Sequence, residues 1–143
     1  MVSVPLHYVD LRAFCFVTED EPRVEAALRT FLPEEFHVER VESEGYHGDR
    51  ILVLSARVEN ADEVRTVLDR VSQLPEEELD RVRGELGDRV DENCSLFLTF
   101  NKQAASGDGV RLGDGITFRA KVEAYPAKQE AALENARDLF EGL

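Results

Sequence analysis

Two runs that alternate apolar and polar residues, Phe36 to Glu44 and Arg50 to Glu59, are separated only by Gly45-Tyr46-His47-Gly48-Asp49. Parallel strands need a crossover of a dozen residues or more, so a link this short, with glycines that suit a tight turn, joins the two runs as an antiparallel hairpin. Leu52, Leu54, Ala56 and Val58 fall on one side of the second run, the pattern of a strand with a buried face. Any fold open to this chain is therefore built around a sheet with at least one antiparallel pair.

The flanking segments extend that sheet and cover it. His7 to Thr18 alternates Val9, Leu11, Ala13, Cys15 and Val17 with Tyr8, Asp10, Arg12, Phe14 and Phe16, and apolar groups on both faces predict a central strand. Asp20-Glu21-Pro22 supplies acidic residues and a first-turn proline for a helix that repeats Val24, Ala27, Leu28 and Phe31 at helical spacing and runs to about Leu32, before Pro33. Asn60, with Glu63 as reciprocal partner, caps a second helix whose stripe is Val64, Val67, Leu68, Val71 and Leu74, and Pro75 ends it. A shorter helix carrying Leu79, Val82 and Leu86 runs to Gly87. Cys94 to Phe100 and Ile116 to Tyr125 read as the fourth and fifth strands, with a glycine-punctuated loop between them. Pro126 opens a last helix that buries Ala132, Leu133, Ala136, Leu139 and Phe140.

The order βαββααββα predicts an α+β fold: one domain over residues 1–143, with an antiparallel or mixed sheet of about five strands and helices packed on one face. A ferredoxin-like core with a C-terminal extension is the alternative, because the first six elements also read as βαββαβ. No apolar run approaches the roughly eighteen residues of a membrane span, and Met1-Val2-Ser3-Val4-Pro5 has no charged leader before an apolar block. Both features predict a cytoplasmic protein.

Charge bears directly on which partners the chain can have. Thirty Asp and Glu against seventeen Lys and Arg leave a net charge of −13, which ordinarily argues against a polyanionic ligand. The acids are spread along the chain and Arg has almost displaced Lys, as in the proteins of salt-in halophilic microbes. At ~1 M salt the Debye length is about 3 Å, so a carboxylate shell repels a nucleic acid only at contact. The same screening removes most counterion-release affinity and leaves hydrogen bonding and stacking to hold RNA. Acidity thus neither supports nor excludes such a ligand.

Catalytic signatures are weak. Cys15 and Cys94 lie within apolar strands, where cysteine behaves as a small hydrophobe, and no spacing pairs either with His7, His37 or His47. No zinc or calcium pattern occurs, and the glycines of 107–115 lack the Gly-Lys-Ser/Thr of a phosphate loop, so no cofactor or metal is expected. Lys102, one of three lysines in 143 residues, closes the fourth strand beside Gln103, and Ala104, Ala105 and Gly107 permit close approach. A lysine offers a point charge to phosphate or a 2′-hydroxyl and a glutamine adds a donor and an acceptor. The competing reading is a strand-ending turn whose lysine pairs with a carboxylate. Arg89 and Arg12 are weaker candidates of the same kind. His47 is a candidate stacking or phosphate contact in the hairpin link, with Tyr46 available for stacking.

Three segments taken together resemble a known family: Thr18-Glu19-Asp20-Glu21-Pro22-Arg23-Val24, Gly45-Tyr46-His47-Gly48-Asp49-Arg50-Ile51, and Arg89-Val90-Asp91-Glu92 leading to Lys102-Gln103-Ala104-Ala105. They are similar, in the same order over nearly the whole chain, to an archaeal family of predicted RNA-binding proteins described as a putative exosome subunit. The resemblance implies a fold like that of ribosomal protein L5. It also implies a non-catalytic RNA-binding module with RNA and exosome core proteins as partners. Joined to the reading of the residues above, it leaves Lys102, Gln103, Arg89, His47, Tyr46 and Arg12 as the candidate RNA contacts. A homodimer is left open. The alternative is a protein-interaction subunit without RNA contact, using the amphipathic last helix or Phe14 and Phe16 if helices leave them uncovered.

Overall fold

The computed structural model describes residues 5–44, 48–105, 107 and 109–143. In chain order the elements are β1 (Leu6–Phe16), α1 (Glu21–Arg29), β2 (Glu39–Glu44), β3 (Arg50–Val58), α2 (Ala61–Val71), α3 (Glu76–Arg89), β4 (Ser95–Asn101), α4 (Lys102–Ala105), β5 (Gly115–Val122) and α5 (Gln129–Glu141). The strands form one sheet in the order β2-β3-β1-β5-β4, antiparallel at every pairing. The two-faced β1 is its central strand. β5 flanks β1 opposite β3 and pushes β4 to the edge, so the elements from β1 to β4 do not close a ferredoxin-like sheet by themselves.

One face of the sheet is packed. Val9, Leu11 and Ala13 of β1, Leu54 and Val58 of β3, Leu98 and Phe100 of β4, and Ile116, Phe118 and Ala120 of β5 are all completely buried. The helices meet them with Leu28, Val64, Val67, Val82 and Phe140, and Phe31 follows the end of α1 into the same core. Phe31, Phe100 and Phe118 form an aromatic chain at its centre, with ring centroids 4.6 Å and 6.1 Å apart. Offset and edge-on rings of this kind add roughly 0.5–1.5 kcal/mol per pair beyond area burial.

Local chemistry sets the boundaries. The Asn60 side chain accepts hydrogen bonds from the backbone amides of Asp62 and Glu63, capping α2 as its sequence requires. The last helix starts at Gln129 instead of Pro126, and the strand expected from Phe36 begins at Glu39. α4 is an added single turn where the sequence suggested a loop. Asn101 Oδ1 accepts from the Ala104 amide at 2.9 Å, and this side-chain bond starts the turn directly at the end of β4. The outer side of β4 is covered by the returning chain, through Asn101 N–H to Arg111 O, Gly113 N–H to Thr99 O, and the Val90–Leu96 bridge.

Candidate nucleic-acid interface

With the helices on one side, alternation sends every second residue of each strand to the other side. The registers align these residues in rows. One row is Glu39, Ser55, Arg12, Thr117 and Thr99, and the next is Arg57, Asp10, Arg119 and Phe97. Two rows toward the other end of β1 hold Val41, Val53 and Phe14, then Ser43, Ile51 and Phe16. The open face therefore has an apolar half and a cationic half. Within the strands its cationic half carries Arg12, Arg57, Arg119 and Lys121 against Asp10 and Glu39, in a chain of net charge −13.

These cations are not equivalent. Arg57 forms a two-pronged ion pair with Asp10, at 2.7 and 2.9 Å, and its guanidinium lies 4.1 Å from the Tyr8 ring centre. The hydrogen bonds that Arg57 donates to the Asp10 carboxylate raise its already high pKa, and this charge is neutralised locally. The Lys121 ammonium is held by the Asn93 carbonyl. Arg12 and Arg119 are exposed and, among the described residues, have no carboxylate partner. Arg119 stands 5.7 Å from the centre of the Phe97 ring, a cation–π distance. Phe14, Phe16 and Phe97 keep 38%, 48% and 37% of their surface exposed, enough to offer a ring to a ligand. A depression of about 730 Å³ on this face is lined by Arg12, Phe14, Phe97, Thr117, Arg119 and His37, among others.

The Lys102 corner is built differently. Register between β1 and β5 ends at Ala13–Ile116, so beyond it the Phe14 carbonyl and Phe16 amide have no strand partner on that side. Lys102 Nζ donates to Phe14 O at 2.8 Å and to Glu19 at 2.8 Å, and Glu19 Oε1 accepts from Phe16 N–H at 3.1 Å. The ion pair thus replaces the missing end of β5. Burial pushes the Glu19 carboxyl up, but the bonds from Lys102 and the Phe16 amide, with the lysine charge, outweigh it and hold the carboxyl below its ordinary range. Gly115, at φ +117°, gives the lysine stem its path: a Cβ there would stand 2.5 Å from Lys102 Cβ. The Lys102 side chain is 12% exposed, which matches the carboxylate-paired reading of this lysine.

Of the other candidates, Gln103 is exposed on α4 and shares a shallow pocket with Lys102, Glu19, Asp20 and Arg23, a setting with as many acids as cations. Arg89 pairs with Glu85 and donates to the Phe97 carbonyl at 3.4 Å, at the outer edge of β4. The structure brings Lys102 to the Phe14–Phe16 end of β1, two residues from Arg12, and Arg89 to the outer edge of β4 beside Phe97. Tyr46 and His47 lie outside the described residues. Arg119 and Phe97 escaped the sequence reading. The signal that could have found them is the run Thr117, Arg119, Lys121 on alternate positions of one strand, a polar and cationic edge in an acidic chain.

Burial, with Glu19 adding to it, raises the Cys15 thiol above its ordinary value, the direction opposite to nucleophile activation. Among the described residues no three His, Cys, Asp or Glu side chains cluster to hold a metal, and no helix is long and apolar enough to cross a membrane.

A family described as RNA binding matches residues 8–122, which run from the third residue of β1 to the end of β5 and so contain the rows of the open face described above. An RNA-binding protein of Pyrococcus abyssi is 34% identical over 145 residues, spanning 95% of this chain and 94% of that protein. A crystal structure of a protein from Archaeoglobus fulgidus is similar at a TM-score of 0.84 and 28% identity, covering 94% of this chain and 99% of that one. A structure from Methanothermobacter thermautotrophicus is similar at a TM-score of 0.74 and 38% identity, covering 94% and 98%. With the match extending over all five strands, the chain belongs to this archaeal RNA-binding family.

Proposed function

We propose that the chain is a non-catalytic RNA-binding protein and that RNA lies across the cationic half of the open sheet face. The observation that carries this reading is the pair of exposed guanidiniums, Arg12 and Arg119, without carboxylate partners among the described residues, on a face that also presents phenylalanine rings. A guanidinium offers five donors in a planar fork that fits phosphate oxygens, and its hydrogen bonds survive salt that screens long-range attraction. Gln103 and Arg89 serve as outlying contacts in this proposal, Tyr46 and His47 are kept as candidate contacts from the sequence, and Lys102 shapes the end of β1. Binding of a fluorescent RNA, followed by anisotropy in dilute buffer and in molar KCl, tests it. The double substitution Arg12→Gln/Arg119→Gln is expected to weaken binding by at least about tenfold in both. Unchanged affinity in a folded double variant refutes the reading.

A second reading draws on the other half of the same face. Val41 is 57% exposed and aligns with Val53 and Phe14, so an apolar strip reaches the β2 edge. That strip favours docking on a larger assembly, with the exosome core as the candidate and an L5-like fold as the proposed context. Recovery of core subunits after nuclease treatment supports docking, and loss of every partner after nuclease removes it.

A further inference from the structure

Resting on the RNA reading above, we infer that the open face takes single-stranded RNA, with Phe97 and Phe14 as stacking platforms on either side of Arg12 and Arg119. Two strand spacings and four residues separate the rings in the sheet registers. At roughly 4.8 Å per spacing and 3.3 Å per residue the rings stand about 16 Å apart. That span leaves room for a short run of nucleotides between them. Arg12 and Thr117 share one row and Arg119 lies in the next, so the groups between the rings are two guanidiniums and a threonine hydroxyl. Thr99 continues the first row.

The rings decide the form of the ligand. A phenylalanine donates and accepts no conventional hydrogen bond, so an exposed ring beside a guanidinium contributes to nucleic-acid binding through its π face. In a duplex the base faces are already stacked on one another and only groove edges and the backbone are presented. Duplex RNA would meet the arginines on this face but leave Phe97 and Phe14 without a partner. An unpaired strand satisfies both: its bases lie on the rings, its phosphates meet Arg12 and Arg119, and the threonine hydroxyls reach base edges or 2′-hydroxyls. Stacking tolerates any base, so the face selects strandedness more than sequence.

The test compares an unstructured fluorescein-labelled 12-nucleotide RNA with the same strand annealed to its complement, using the full chain. Wild-type protein is expected to bind the single strand at least about tenfold more tightly than the duplex. Phe97→Leu and Phe14→Leu retain apolar side chains at partly exposed positions, and each is expected to weaken single-strand binding about tenfold while leaving duplex binding unchanged. Equal or tighter duplex binding overturns the inference, as does single-strand affinity within twofold of wild type in both leucine variants. The underlying reading fails separately. If neither RNA binds, or if Arg12→Gln/Arg119→Gln leaves both affinities intact, the face is not the RNA site. If the arginine substitutions abolish binding but the duplex is preferred, only the single-strand inference falls.

Discussion

Replacing Lys102 by Met keeps a stem of similar length over Gly115 and removes only the ammonium, which separates a structural lysine from a ligand contact. The substitution deletes two 2.8 Å hydrogen bonds, one to the Phe14 carbonyl and one to Glu19. The carbonyl is near solvent and recovers part of its bonding from water, so its loss costs about 1 kcal/mol. The Glu19 carboxylate, 27% exposed and still bonded to the Phe16 amide, loses a charge-assisted partner worth about 1–2 kcal/mol. The sum, about 2–3 kcal/mol, corresponds to a fall in Tm of roughly 5–10 °C for a chain of this size. Urea and thermal unfolding followed by circular dichroism measure it. Glu19→Gln and the double variant complete a cycle whose coupling should be about 1–2 kcal/mol. RNA affinity of folded Lys102→Met should stay within about threefold of wild type. A variant within about 0.5 kcal/mol of wild type that loses RNA affinity tenfold would refute the structural assignment and make Lys102 a direct contact.

The same corner yields two further tests. Gly115→Ala combines a φ of +117° with a Cβ 2.5 Å from Lys102 Cβ, and should lower the unfolding free energy by about 2–4 kcal/mol, read from the urea midpoint. Because the folded Glu19 carboxyl titrates below its unfolded value of 4.5, its contribution is full above that pH and is lost as pH falls through the folded value. The stability difference between wild type and Glu19→Gln should therefore shrink steadily when unfolding is measured from pH 6 down to pH 3, and a constant difference would contradict the pairing. Removing the α2 cap with Asn60→Ala should cost about 1 kcal/mol in chemical denaturation.

Local signals carried most of the fold. Apolar groups on both sides of residues 7–18 placed that strand at the sheet centre, and the short glycine link made β2 and β3 neighbours. The stripe from Val64 to Val71 and the Asn60 cap located α2. What local pattern cannot carry is pairing between distant segments. The partner of Lys102 is Glu19, 83 residues away, and nothing near the lysine announces it. Phe97 and Arg119 meet because β4 and β5 pair in one register and not another. Phe14 and Phe16 read equally well as core or as surface until the helices are seen to cover one face alone. α4 was missed because a single side-chain bond from Asn101 sets it, over too few residues for any periodicity.

Whether RNA is held by the cationic half of the open sheet face can be read residue by residue from an NMR titration of ¹⁵N-labelled protein with the unstructured 12-nucleotide RNA. Shift changes should concentrate at Arg12, Phe97, Thr117 and Arg119, with α2 and α5 unaffected. Changes confined to the helices, or to Gln103 and the α1 pocket with the sheet face silent, would contradict that placement of the RNA.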